Sequence, residues 1–332
     1  MMDIAVLGAG SWGTTLADLL ARKGFRVRLW AYEREVVEAL NARQENPLFL
    51  PGCGLASGIR AFADAAEAVD GARVVLSAAP SHAVRRVAAL AAPAVAAGAL
   101  VVSATKGIEP VSLKLMHAVL EETLPGTRVS ALSGPSFALE VFQQQPTAVV
   151  AAAAERDVAE EVQRIFATPR FRVYSHADVV GVELGGALKN VIAIAAGILE
   201  GLGLGNNPRA ALITRGLAEM TRLGVAMGAQ PLTFAGLAGM GDLILTTTGA
   251  LSRNRALGVA LAQGQTLAEY TAAHRTVAEG VNTARSALEL GRRAKVELPI
   301  CEQVAGILFE AKPPRQAVNE LMERTLKPEQ WR

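Results

Sequence analysis

Only two cysteines, Cys53 and Cys301, occur in the 332 residues, and they lie far apart. Four histidines (His82, His117, His176, His274) complete the supply of soft ligands, and none stands at metal-ligand spacing with a cysteine. These scarcities argue for a reducing compartment, the cytoplasm, and against a structural metal. An excess of one charge is also missing. The 33 basic and 31 acidic residues leave a net charge of +2, and no run of like charge concentrates it. Neither a nucleic-acid partner nor an anionic membrane is expected. Nor is there a strongly apolar run of the ~20 residues that a span needs. The most membrane-like stretch, residues 87–102, is mostly alanine, carries Pro93 and Gly98, and reads as a helix end, a turn and a buried strand. The N-terminus lacks the pattern of a signal peptide, because Asp3 interrupts it and the apolar run leads directly into glycines.

What is present is a repeated alternation. Ile4-Ala5-Val6-Leu7 is a short apolar run followed by a glycine turn and a helical pattern through Leu16, Leu19 and Leu20. Further strand-like runs follow at residues 27–30, 74–76, 100–102, 129–132 and 148–151, with helical stretches between most of them. Such alternation predicts an α/β unit with a doubly wound parallel sheet of the Rossmann type, covered on both faces. After about Tyr174 the strand-like runs stop and long helical patterns take over, at residues 180–198 and 209–227. The expected division is therefore a dinucleotide-binding domain over residues 1–177 and an all-helical substrate-binding domain over 178–332. Asn207 and Pro208 read as the N-cap and first residue of the second long helix. No internal repeat or low-complexity linker is visible.

Gly8-Ala9-Gly10-Ser11-Trp12-Gly13 is a GxGxxG that directly follows a predicted strand and opens a predicted helix. In that context the first glycine permits a tight turn, the second admits a pyrophosphate to the backbone, and the third lets helix and strand pack closely. The helix N-terminus adds free N–H groups and positive dipole. Glu33 lies twenty residues beyond Gly13, where an acid can hold the adenosine ribose hydroxyls of NAD. Arg34, beside it, could instead face the 2′-phosphate of NADP, and both could equally be an ordinary solvated helix start. An acid at this spacing needs no loop rearrangement, so the expectation is use of both cofactors, with NADH at least as good as NADPH.

Lysine is scarce, 7 against 26 arginines, so the positions that keep it are informative. Lys106 follows a predicted buried strand at its C-terminal end, the edge where open α/β sheets bind ligands. Lys189 stands in an otherwise apolar helix. An ammonium desolvated in a cleft can have its pKa lowered and exchange a proton, which a guanidinium cannot. Taken singly, each lysine could be a snorkelling side chain with its head in water. Their company is the run Gly239-Met240-Gly241-Asp242 through Thr246, followed by Ser252-Arg253-Asn254-Arg255. Asp242 and Thr246, four apart, share one helix face. Ser252 reads as the N-cap of the next helix, with Arg253 and Asn254 in a first turn suited to phosphate. Blander roles exist: Asp242 as a cap, Arg253 as surface charge.

At this point the sequence resembles a known family, the bacterial NAD(P)-dependent glycerol-3-phosphate dehydrogenases. The resemblance runs in order through GAGSWG, SATKG, LSGPSFALE, ELGGALKN, GLAGMGDLILT, SRNR and VAEGVNTA. It implies interconversion of dihydroxyacetone phosphate and sn-glycerol 3-phosphate, with Lys189 as the proton donor or acceptor. It further implies substrate contacts at Lys106, Asp242, Thr246, Ser252, Arg253 and Asn254, and cofactor contacts at Ser11, Trp12, Lys106, Ala138, Arg253, Val277 and Glu279, with Gly134 and Ser136 nearby. Many members carry a basic residue where this chain has Tyr32 and Glu33. The resemblance points to glycerol 3-phosphate supply for glycerophospholipids. By analogy alone it points to a homodimer through the helical domain. Two other readings share the fold expectation: a 3-hydroxyacid or 6-phosphogluconate type of dehydrogenase, which the SRNR and GMGDL segments disfavour, and a non-catalytic dinucleotide-binding regulator, which leaves the two lysines and Asp242 without a purpose.

Overall fold

A computed structural model describes residues 2–274, 278–326 and 328–329. Its strands are β1 (Asp3–Leu7), β2 (Arg26–Trp30), β3 (Glu45–Asn46), β4 (Leu50–Gly54), β5 (Ile59–Phe62), β6 (Val74–Ser77), β7 (Leu100–Ser103), β8 (Arg128–Ser133), β9 (Thr147–Ala152) and β10 (Phe171–His176). Eight form one sheet in the order β10-β9-β8-β7-β6-β1-β2-β5, and β3 with β4 forms a separate antiparallel hairpin. The sheet's central strands are apolar without interruption because both faces are covered. Ile4 and Val6 enter the core on one face, Ala5 and Leu7 the core on the other.

The sheet is not wholly parallel, which corrects the sequence expectation. β9 runs antiparallel to β8, and β10 is parallel to β9. The connection from β8 to β9 carries only a five-residue helix, Ala138–Phe142, and the chain turns back instead of crossing over. Three segments escaped the sequence reading. β5 and β10 are the two edge strands, and β10 alternates buried Phe171 and Val173 with exposed Arg172 and Tyr174. The β3–β4 hairpin is the third.

Beyond His176 the described chain is helical. Val179–Gly201 forms a 23-residue helix that is buried along almost its whole length and packs against most of the other helices. It is long and apolar enough to cross a membrane, more so than residues 87–102, but its apolar surface is covered by the rest of the fold. The next long helix spans Asn206–Ala226 with Gly205 as N-cap, so Asn207 is not the cap and Pro208 is its third residue. That proline is tolerated because first-turn N–H groups have no intrahelical acceptor in any case.

The central helix and the helix Arg253–Ala262 cross at close range through glycines. A Cβ at Gly258 would lie 2.0 Å from the Ile194 carbonyl oxygen, and one at Gly197 would lie 2.0 Å from that of Arg255. Alanine at position 258 gains about 1 kcal/mol of helix propensity. A backbone carbonyl, however, cannot rotate out of the way, and overpacking of this kind costs ~1–3 kcal/mol or more. The clash wins. Gly258→Ala is expected to lower the thermal midpoint, and an unchanged or raised midpoint would show that the helices can part freely.

Candidate active site

Three loops converge at the carboxyl edge of the sheet. β1 is flanked by β2 and β6, and the chain leaves β1 toward one side and β6 toward the other, so a crevice opens where the connections diverge. The glycine turn sits there. Gly8 has φ +122°, its N–H donates to the Trp30 carbonyl at 3.2 Å, and a Cβ on it would meet the backbone of Ala78 and Ala79 at 2.9 Å. A Cβ on Gly13 would lie 1.9 Å from the Gly8 oxygen. Gly10 is the N-cap of the helix Ser11–Arg22 and has no side chain to fill the space beside that helix's free N–H groups. This is a cradle that fits a dinucleotide pyrophosphate.

The cradle is held from the side by the unforeseen hairpin. The Asn46 amide is fully buried and donates to the Ala9 carbonyl at 2.7 Å and to Thr14 Oγ1 at 2.8 Å. Ser11 Oγ donates to the Phe49 carbonyl at 2.6 Å. Trp12 turns its ring toward Phe171, 6.5 Å away, so its contribution to the cradle is backbone. Nothing local to Asn46 signals this role, since its partners are 32 and 37 residues away.

Lys106, on the loop after β7, reaches the first turn of the helix Asp242–Thr248. Its Nζ donates to Asp242 Oδ2 at 2.7 Å and to the Gly134 carbonyl at 2.8 Å; Ser136 Oγ donates to that same carbonyl at 3.0 Å. From the central helix, Lys189 Nζ lies 2.8 Å from Asp242 Oδ1 and donates to Thr246 Oγ1 at 2.7 Å. Thr246 Oγ1 in turn donates to the Asp242 main-chain carbonyl at 2.6 Å. One buried carboxylate thus holds two ammonium groups, one from the sheet and one from the helices. Asp242 is 1% exposed and Lys189 6%.

This arrangement has a definite electrostatic consequence. Burial is the largest influence on Lys189 and lowers its pKa; Asp242 opposes this, the neighbouring Lys106 adds to it, and the result is about 8. Lys189 is therefore close to balanced between acid and base in the physiological range. Asp242 orients both lysines.

The helix Arg253–Ala262 opens beside this group. Ser252 caps it, accepting from the Arg255 N–H at 3.2 Å, and Arg253 stands exposed at its first position. Asn254 Nδ2 donates to Asn190 Oδ1 at 2.9 Å, and its Oδ1 accepts from the Gly280 N–H at 3.0 Å. Asn254 therefore ties the central helix to the start of the helix Glu279–Ala294 and keeps one amide N–H for a further acceptor. Glu279 accepts from Ser81 Oγ at 2.6 Å and from the Ser81 N–H at 3.2 Å, on the loop after β6. The Ala138 carbonyl accepts from Thr15 Oγ1 at 3.2 Å, which seats the loop before Ala138 against the first helix. Val277 lies outside the described residues.

Two further residues join the sheet to the helices and were not singled out from the sequence. Glu183, buried, accepts from the His117 N–H at 3.0 Å and pairs with His117 Nδ1 at 2.6 Å. A glutamate inside the apolar ELGGALKN helix is the signal that could have found it. Burial lowers the His117 pKa, but the hydrogen bond and charge of Glu183 outweigh it, and the net direction is up.

Comparison with known proteins agrees along the whole chain. Residues 3–159 match the family described as NAD-dependent glycerol-3-phosphate dehydrogenase N-terminus, and residues 178–319 match the corresponding C-terminus. A glycerol-3-phosphate dehydrogenase [NAD(P)+] of Geobacter sulfurreducens is 59% identical over 331 residues, covering 99% of each chain. Its namesake in Nitratidesulfovibrio vulgaris is 52% identical, covering 99% of this chain and 100% of the relative. The crystal structure of glycerol-3-phosphate dehydrogenase from Coxiella burnetii superposes with a TM-score of 0.94 at 41% identity, over 97% of this chain and 99% of that one.

Proposed function

The chain belongs to the NAD-dependent glycerol-3-phosphate dehydrogenase family, and from that premise we propose how its residues carry out the reaction. It interconverts dihydroxyacetone phosphate and sn-glycerol 3-phosphate with NAD(H) or NADP(H). When bound in the Gly8–Gly13 cradle, the dinucleotide supplies or accepts the hydride at C2 of the substrate. Lys189 gives a proton to the C2 oxygen in reduction and takes it back in oxidation. Lys106 adds positive potential beside that oxygen and, by like-charge repulsion, keeps the Lys189 proton mobile. Asp242 holds the two amines in register, and Thr246 fixes the rotation of the Lys189 ammonium. Arg253 and the N–H groups opening its helix take the phosphate.

The observation that carries this reading is the shared carboxylate: two lysines from different parts of the fold meet on Asp242 within 2.8 Å. Absorbance assay of dihydroxyacetone phosphate reduction with NADH and NADPH tests it directly. Failure with both cofactors, alongside reduction of a 3-hydroxyacid precursor, would overturn it.

Arg253→Ala should raise KM for dihydroxyacetone phosphate at least tenfold and leave the poor reaction with unphosphorylated dihydroxyacetone nearly unchanged. An equal loss on both substrates would assign Arg253 to structure or cofactor. The proposal extends to glycerol 3-phosphate supply for glycerophospholipids in the cytoplasm, an assignment that suits two free, buried thiols, Cys53 and Cys301. It also includes assembly as a homodimer through the helical domain, which sedimentation measures.

A further inference from the structure

The rim of the dinucleotide cradle carries an arginine that neither the glycine fingerprint nor the acid at position 33 accounts for. Arg86 lies on the helix Val84–Ala91, which follows β6, and its guanidinium carbon stands 6.0 Å from the centroid of the Tyr32 ring. Tyr32 follows β2 and is 73% exposed. Because β2 and β6 flank β1 on opposite sides, this contact bridges the carboxyl end of β1, where the glycine turn begins. A dinucleotide with its pyrophosphate at that turn would extend its adenosine toward the end of β2, where Tyr32, Glu33 and Arg86 would be placed to hold the ribose.

Neighbouring charges differ in their commitments. Arg85 is held by Glu109, at 2.8 Å through two nitrogens, and by Glu122 at 2.9 Å. Arg86 is exposed and has no carboxylate partner within 4.0 Å among the described residues. Its contact with the Tyr32 face is a cation–π pairing, which places the guanidinium without consuming its N–H donors. Glu33 is the N-cap residue of the helix Arg34–Arg43, but its side chain makes no cap hydrogen bond, which leaves the carboxylate available.

We propose that Arg86, seated on Tyr32, recognises the 2′-phosphate of NADPH, while Glu33 serves the ribose hydroxyls of NADH, so that one pocket reads the two cofactors with residues from the connections after β2 and β6. A guanidinium can meet a phosphate with two parallel N–H donors, and such charge-assisted bonds are about twice as strong as neutral ones. The inference rests on the cofactor reading above and deepens it by assigning the selectivity to Arg86, not to Arg34.

Equilibrium binding tests it without turnover. Calorimetric titration of wild type, Arg86→Ala and Arg34→Ala with 2′,5′-ADP, 5′-ADP, NADPH and NADH separates the 2′-phosphate from the rest of the ligand. Arg86→Ala should weaken 2′,5′-ADP and NADPH about tenfold and leave 5′-ADP and NADH within twofold; Arg34→Ala should leave all four within twofold. Equal weakening of phosphorylated and unphosphorylated ligands would make Arg86 a structural residue, and a selective loss in Arg34→Ala would transfer the role to that neighbour. Either result overturns the proposal. Failure of the wild type to bind any of the four would overturn the cofactor reading itself, and with it this inference.

Discussion

Lys189→Met is expected to lower kcat for dihydroxyacetone phosphate reduction by at least the ~10²- to 10⁴-fold typical of general acid–base catalysis, with the affinity for NADH and NADPH close to unchanged. The amine is held by Asp242 and Thr246, not by the Gly8–Gly13 turn, so its removal takes away the proposed proton donor and leaves the pyrophosphate cradle as it is. The wild-type pH profile should carry the same signature. With Lys189 near pKa 8, kcat/KM for reduction falls as pH rises through about 8, because the donor loses its proton, while kcat/KM for glycerol 3-phosphate oxidation rises to a plateau over the same range. Stability behaves in a way that separates this loss from misfolding. The folded pKa lies below the ordinary lysine value of 10.5, so between about 8 and 10.5 the unfolded chain binds the extra proton and stability rises with pH. Below pH 8 the charged, buried amine is a cost to the fold, and methionine removes it. The variant should therefore melt no lower than wild type at pH 7. Retention of more than a tenth of kcat would remove Lys189 from its role.

Asp242→Asn is expected to act on both catalysis and stability. An asparagine keeps the shape but leaves two ammonium groups facing each other in a buried space, and loss of one partner from a buried pair costs on the order of 3–5 kcal/mol. The folded protein can reduce that cost only by releasing a proton from one lysine. The bend in the reductive pH profile should consequently move from about 8 toward lower pH, with kcat down at least a hundredfold at pH 8 and a thermal midpoint several degrees lower. A profile that stays in place, measured with kcat and the melting temperature on one preparation, would show that Asp242 does not set the charge state of Lys189.

Much of this could be read from the chain because the informative signals were local. The apolar run and glycine turn at residues 4–13 define a strand, a cradle and a helix within one stretch of sequence, and Ser252 caps its helix as its position in the sequence suggests. Lys106, Lys189 and Asp242 could each be suspected, but the sharing of one carboxylate by two amines is a tertiary fact with no local trace. The same is true of Asn46, whose hydrogen bonds reach back across the glycine loop, and of Arg86, which meets Tyr32 only because two connections fold over β1. The edge strands were missed for a different reason. β10 carries an alternating pattern proper to a sheet margin, which shows no uninterrupted apolar run. The reversal of β9 depends on the length of the preceding connection, which apolar periodicity does not register.

The glycine crossing between the central helix and the helix Arg253–Ala262 bears on which parts of this enzyme can drift. At that crossing Gly197 and Gly258 face backbone atoms, so the spacing between Lys189 and the opening of the helix proposed to face the phosphate is set by the peptide groups themselves. Substitutions can change the chemistry at either end of this ruler but cannot shorten it, and any lengthening displaces Arg253, the proposed phosphate grip, from Lys189, the proposed proton donor. On the roles proposed above, selection can revise the exposed adenosine rim residue by residue, whereas the reach from C2 to the phosphate is set by the main chain.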